Sequence, residues 1–528
     1  MLYGCSQRIR PSSAATASSR PTGAIDAVFC RASGGSTRLD VAEGRPQLVS
    51  PMRAQCHDGV TIANGLLYWW PSVCDCNLTL YGITCLGPAG DFDFAAAAVE
   101  AERLETDAAG AEIRDPLAVS PGDWPTFRAN NRGTVTTDAV IPAAVRPLWR
   151  AALPGASRPT PPTAAGGLVF LGGADGIVRA LDARSGAPAW KAYTGGELRL
   201  PPALAEGRAL AGSGDGWVYC FEAHTGRRLW RFRAAPAERR IPVYGQLLST
   251  WPAASGVLVD GGVAYVAAGI VNYDGTHVYA LDLATGRIRW QNNSSGHLDP
   301  DARTGVSVQG HLLLHDAKLY LAGGNAVSPG IYDVAGGKCL SDPGLVHRVV
   351  NNNVPASESP RGWELYQIGD RVMVSGKPYY AHPKWGVYDA SVFNKTLLGS
   401  AGNRDVAWVN NAKLMVFDRA ADRDPGIFVR AWGKTEIVGL EPAWERPCKE
   451  SVALAVCRNA VVVATASEVV ALDLAGGQRL WSEPLPAAPV PWGLAVDRDG
   501  RVIVALENGE VLCFGDAAEG TDAERVRA

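Results

Sequence analysis

The segment GLVFLGGADGIVRALDARSGAPAW, residues 167–190, decides the fold. Its apolar run from Gly167 to Leu171 reads as an inner strand, and Asp175-Gly176 supplies the turn geometry of a hairpin. A second, alternating strand follows and ends in Leu181-Asp182, where the aspartate can accept backbone N–H bonds from the next turn. Gly186 stands where a positive φ is wanted. Trp190 then closes the unit on a short outer strand. There its flat side chain can plug the gap between neighbouring four-stranded sheets, each too small to bury its face alone.

The same order recurs outward from this segment. RALAGSGDGWVYCFEAHTGRRLW ends at Trp230, VAYVAAGIVNYDGTHVYALDLATGRIRW at Trp290 and AVVVATASEVVALDLAGGQRLW at Trp481. Asp215-Gly216 and Asp274-Gly275 repeat the hairpin pair, Asp282 the aspartate, and Gly226, Gly286 and Gly477 the turn glycine. Such self-similarity is the mark of a repeat architecture, in which neighbours bury each other's faces. Closing positions fall at Trp149, Trp190, Trp230, Trp290, a weakened one near Cys339, one or two blurred ones between residues 395 and 445, and Trp481. The last strand, GEVLCFG, has no closing segment after it. The strand carrying Trp149 can complete that sheet and join the two ends of a ring, which removes its open edges. The expectation is an all-β β-propeller of four-stranded blades, eight in number with seven as the alternative, preceded by an N-terminal partial repeat.

The pattern V-Y-A-L-D-x-x-T-G-x-x-x-W, complete at residues 278–290, resembles the repeat of the pyrroloquinoline-quinone-like, or quinoprotein-type, propellers, and the likeness covers most of residues 124–515. GDWPTFRANNRGT from Gly122, RPLWRAAL around Trp149, DGWVYCF, RFRAAPAERRIPVYGQLLSTWP from Arg231 and GVAYVAAG together resemble large uncharacterised exported bacterial members. The outer-membrane barrel-assembly scaffold lipoprotein has a similar repeat. In the dehydrogenases of the family, the resemblance implies a quinone held between a Trp face and a disulfide of adjacent cysteines, with calcium beside it. This sequence has no Cys-Cys pair. The repeat is therefore expected to be structural, with no cofactor and no pyrroloquinoline quinone bound.

Around the ring, residues 1–34 read as low-complexity or disordered, and residues 35–88 as a partial propeller repeat carrying a cysteine cluster. Residues 89–121 read as a linker, whose Ala/Glu-rich stretch from Phe94 to Ile113 allows a short helix. Residues 122–515 form the propeller and 516–528 a disordered tail. The net charge of −3 over 528 residues, without a run of like charges, provides no basic field for nucleic acid. No apolar run is long enough for a transmembrane helix. The first 30 residues lack the apolar centre of a secretory signal. A cytosolic protein and a chain whose start lies upstream both fit this. The second is favoured because recognisable structure near Gly35 begins in mid-repeat, and the family resemblance then implies a periplasmic or extracellular location.

Four of the 11 cysteines, Cys56, Cys74, Cys76 and Cys85, fall close together with His57 beside the first. Disulfides stapling a small strand pair are the favoured reading. A metal or haem and plain buried thiols are the alternatives, although the spacing matches no zinc signature and Cys-x-x-Cys-His is absent. His311 and His315, four apart, would form a metal-binding face on a helix, but on the strand expected here they read as ordinary surface or packing histidines; Cys220 and Cys513 read as core. Two loop regions are candidate binding surfaces. One is the insertion after Trp230, with Arg233, Arg239, Arg240, Tyr244, Gln246 and Trp251. The other is the irregular stretch with Trp363, Tyr380, His382, Trp385 and Arg404. Packing of long loops against each other is the competing reading for both. No catalytic constellation can be placed. The functional expectation is a non-catalytic interaction or scaffold propeller that binds a protein or glycan through loops on one face. The alternative is an enzyme with a funnel active site, either a quinoprotein-type oxidoreductase or a polysaccharide-active propeller.

Overall fold

A computed structural model describes residues 20–32, 35–50, 59–70, 83–86, 96–108, 110–153, 158–243, 246–270, 272–298, 305–323, 327–341, 364–368, 371–375, 397–409, 412–418, 427–429, 435–437 and 441–517. Antiparallel sheets dominate it. The innermost strands of the ring are β1 (Thr163–Ala165), β2 (Ala203–Ala205), β3 (Val257–Asp260), β4 (Leu312–His315), β5 (Glu364–Ile368), β6 (Leu397–Ala401), β7 (Ser451–Val456) and β8 (Pro489–Val496). Each opens a sheet whose next strands follow it outward in chain order, except that the outermost strands of the β2 and β8 sheets come from earlier in the chain. Each innermost strand also touches the next, and β8 returns to β1, so the sheets close into a β-propeller.

The closure joins the chain's two ends of the ring. Val145–Ala152 pairs antiparallel with Glu510–Asp516 and becomes the fourth strand of the β8 sheet, with Trp149 opposite Cys513. A ring sealed this way leaves no unpaired edge at its seam.

The repeat residues act at each boundary between blades. Asp182 accepts the backbone N–H groups of Arg184 and Ser185, and Asp282 that of Thr285, so each aspartate orders the turn after its strand. The indole N–H of each closing tryptophan donates to a carbonyl in the corresponding turn of the following sheet. Trp149 bonds Ala183, Trp190 bonds Ala223, Trp230 bonds Leu283 and Trp290 bonds Val334, at 2.8–3.1 Å. Trp444, which the blurred repeat between residues 395 and 445 concealed, does the same to Leu474. Trp481 donates to Pro142, the residue leading into the closing strand, because no turn of the usual kind exists at the seam.

Upstream of the ring, the structure corrects one expected boundary. Thr22–Gly23 and Ala27–Ala32, inside the segment expected to be disordered, form a four-stranded sheet with Gly35–Asp40 and Pro46–Ser50. The alternation in Ala27-Val28-Phe29 explains it, since Ala27 and Phe29 are buried on one side. A second small sheet, Thr61–Ala63, Leu66–Trp69 and Thr84–Leu86, joins the first through the Trp69 indole, which donates to the Ser36 hydroxyl at 2.9 Å.

The expected linker is also more structured than its composition suggests. Its helix is one short piece, Glu100–Arg103, and Leu104–Thr106 then adds a fifth strand to the outside of the β2 sheet. Among the described residues, no helix is long and apolar enough to cross a membrane.

Candidate functional site

The centre of the ring is where such a fold would place a funnel site, and the chain's own residues occupy it at one end. After Thr106, the chain crosses the face that carries the turns between first and second strands. Asp115 N–H bonds Glu222, and Arg114 N–H bonds the same carboxylate oxygen. Leu117 packs over Gly166, and Arg498 clamps Asp123. Residues 122–137 then run over the axis as a strap.

The strap bonds to every innermost strand from β1 to β7. Trp124 exchanges backbone bonds with Ala164, and Pro125 accepts the Leu204 N–H. The Asn131 amide donates to the Val259 carbonyl at 2.7 Å, while the Asn131 carbonyl accepts the Leu314 N–H. Arg128 reaches Leu365, Thr134 accepts the Ser400 N–H, and Val135 and Thr137 bracket Val456. The bonding capacity of these strand ends is spent on the strap.

Beneath the strap lies a buried polar cluster. The Arg128 guanidinium sits over the Tyr366 ring at 4.1 Å and the Trp492 ring at 4.3 Å, and Nη1 donates to the Leu365 carbonyl at 2.6 Å. Such contacts strengthen when water is excluded, and here the residue is 2% exposed. Glu364 accepts the Trp492 indole N–H at 3.0 Å and the Tyr366 hydroxyl. Burial lowers the Arg128 pKa, with Tyr366 and Glu364 pulling it back up. Nε2 of His311 accepts the Leu365 N–H at 3.0 Å, which places its proton on Nδ1 facing the Leu312 carbonyl. Burial, then the Arg128 charge, pushes His311 down to about 3, so the imidazole is neutral. A small space on the side of His311 away from the Tyr366 and Trp492 rings, lined by Phe127, Gly133, Leu200 and His311, is about 20 Å³.

Among the described residues, a cleft opens on each side of the Asn130–Arg132 turn on the strap face. The larger, about 600 Å³, lies toward the β3 and β4 sheets and is lined by Asn131, Asp260, Tyr265, Leu314, His315 and Asp316, among others. The smaller, about 320 Å³, lies toward the β5 and β6 sheets and is lined by Thr134, Thr136, Gln367, Ser400 and Gly402. Asn130 and Arg132 border both.

His311, read from the sequence as a packing histidine, is in the cluster and His315 lines the larger cleft, whereas the described residues expected to form binding surfaces lie elsewhere. Trp251 is fully buried and donates its indole N–H to the Asp274 carbonyl at 2.5 Å, so it packs the insertion and is not a recognition surface. Arg233 is half-buried and directed at the Pro236 and Glu102 carbonyls, Arg240 is exposed and directed at Gly195, and Arg239 and Gln246 are exposed. The insertion hairpin Arg240–Val243/Gln246–Ser249 buries Leu248 against Phe29, Val60, Trp69 and Ile270, so one of its faces holds the N-terminal sheets. Arg404 pairs with Asp418 and donates to the Leu474 carbonyl, tying adjacent sheets together. Cys85 is exposed on its strand. Cys56, His57, Cys74, Cys76, Tyr244, Trp363, Tyr380, His382 and Trp385 lie outside the described residues. The segment GDWPTFRANNRGT stands out in the sequence only for its family likeness, because it has no strand or helix period that would reveal a strap. Its signal is a Pro, two Asn and a Gly packed into one apolar-flanked turn.

The family model described as outer membrane protein assembly factor BamB matches residues 138–201, 175–341 and 435–527, more than half of the chain. A search of curated proteins finds no match. Among solved structures, quinohemoprotein alcohol dehydrogenase ADHIIG from Pseudomonas putida HK5 is similar at 14% identity and a TM-score of 0.43, covering 75% of this chain and 80% of that one. BamB from Moraxella catarrhalis is similar at 13% identity and a TM-score of 0.35, covering 70% and 100%. The computationally designed Ika8 protein is similar at 13% identity and a TM-score of 0.44, covering 69% and 98%.

Proposed function

The chain belongs to the family of pyrroloquinoline-quinone-like repeat proteins described as outer membrane protein assembly factor BamB, and from that premise we propose that it is a non-catalytic scaffold propeller. It binds a protein partner on the open sector of its strap face and holds no quinone. The observation that carries this reading is the strap. Its bonds to β1 through β7 carry the chain's own residues across the axial end of the ring, where a funnel site would otherwise open. The acid and the imidazole gathered there are already engaged, while Nε and Nη2 of Arg128 have no hydrogen-bond partner among the described residues. Glu364 is engaged by Tyr366 and Trp492, and His311 by Leu365, so a substrate would find no exposed acid or base in the cluster.

The path of the same segment supports the choice of sector. It covers the strap-face turns of the β1 and β2 sheets, where Leu117 packs on Gly166 and Ile113 lies against Gly207, and leaves the clefts toward β3 to β6 open. An exported location belongs to this reading and is supported by the family alone.

The test is reconstitution of the purified chain with pyrroloquinoline quinone and calcium, followed by gel filtration and a dye-linked alcohol oxidation assay. The quinone is expected to elute apart from the protein, with no dye reduced. Stoichiometric retention with alcohol-dependent dye reduction would establish the oxidoreductase alternative in its place.

A further inference from the structure

We propose that Arg132 receives the carboxylate of an acidic residue in an extended segment of a partner protein, laid across the strap from one cleft to the other. This rests on the scaffold reading above and adds to it the chemistry of the bound segment.

Arg132 is exposed, and among the described residues its guanidinium has no hydrogen-bond or ion-pair partner. Its neighbours are engaged: Arg128 is buried between two rings, and Asp123 is held by Arg498. The backbone beneath Arg132 is held in place. The Asn130 side chain accepts the N–H groups of Arg132 and Thr134 and donates to the Thr134 hydroxyl at 2.7 Å. Arg128, Ala129 and Val135 all adopt positive φ, at 61°, 74° and 52°. A β-branched residue in that region is strained, and such strain persists only where surrounding contacts over-determine it. The turn therefore presents an unspent fork of donors from a rigid base, the geometry that suits a planar carboxylate.

The two clefts decide how the segment lies. The larger carries Asp260 on its wall, which repels an anion, beside Asp316, which is paired with Lys318 at 3.1 Å. It also exposes part of Leu314 and Val334 beside Tyr265, which suits an apolar or basic side chain. The smaller is lined by hydroxyls, an amide and glycine, with no acid among its described residues. A carboxylate held by Arg132 is stabilised on the smaller-cleft side. The neighbouring residues of the segment extend across the ridge into the larger cleft, whose size falls in the range of ordinary ligand sites.

The test uses the full chain to select binders from a phage-displayed library of random 12-residue peptides. The selected peptides are expected to be enriched in Asp and Glu. A fluorescein-labelled selected peptide should bind Arg132→Gln about tenfold more weakly, with Arg132→Lys in between. The thermal midpoint of both variants should match the parent, because Arg132 holds nothing in the fold. Peptides without acidic enrichment, equal binding to Arg132→Gln, or no peptide selected at all would each overturn the inference. So would Arg132-dependent binding of a uronic-acid oligosaccharide in place of peptide. None of these outcomes touches the quinone reconstitution, so a failure here is distinguishable from a failure of the scaffold reading.

Discussion

Gly226 accounts for the repeat at the level of a single residue. Its φ is +74°, and a Cβ placed on it would lie 2.6 Å from the Trp190 ring of the preceding sheet. Gly186 meets Trp149, Gly286 meets Trp230 and Gly477 meets Trp444 in the same way. The glycine and the tryptophan are thus one device, split between consecutive sheets. Gly226→Ala should cost about 2–4 kcal/mol, the left-handed penalty and the overpacking together. Urea denaturation would measure it, and an unchanged midpoint would show that Trp190 can move aside. The same scale corrects the reading of Trp251, an aromatic in an insertion that serves burial rather than recognition. From sequence alone, an aromatic packing a long loop and one waiting for a ligand look alike.

The strap is the element that turns a generic ring into this protein, and its attachment is sensitive to acid. Burial would raise the Glu222 carboxyl. Bonds from Thr225, the Arg114 and Asp115 N–H groups and Arg227 outweigh that and hold it down to about 2. Because the folded value lies below the unfolded value of about 4.3, the stabilisation is present above that pH. It is lost as pH falls from there toward 2. His311, held at about 3 against 6.5, adds loss in the same direction as pH falls below 6.5. The thermal midpoint of the parent should therefore drop between pH 4.5 and 2 more steeply than that of Glu222→Gln. Parallel curves for the two would mean that Glu222 does not anchor the segment that leads into the strap. Composition indicated a linker with a short helix over residues 89–121 and assigned the strap that follows to the propeller. Each strap bond joins residues far apart in sequence, as between Arg128 and Leu365, and no local pattern records such a partner.

At the scale of the whole molecule, ring closure depends on one long-range pairing, Val145–Ala152 with Glu510–Asp516. A chain ending at Asn508 would leave Val145–Ala152 without its partner and the β8 sheet with an open edge. It is expected to lose its single cooperative thermal transition and to self-associate on gel filtration. A monomer with an unchanged transition would show that the seam is dispensable. The sequence by itself determined the blade. Alternating strands, Asp-Gly turns, the ordering aspartate, the turn glycine and the closing Trp are set within about 40 residues by local geometry and side-chain period, whereas the contact of that glycine with the preceding sheet's Trp forms only across the blade boundary. It also carried the seam, since a last strand without a closing segment has one free partner upstream. Only the tertiary structure decided what lies over the axis, which loops are buried, and that Arg132 stands between two clefts. Those outcomes depend on which distant surfaces meet once the ring has closed, and the period of a repeat does not encode them.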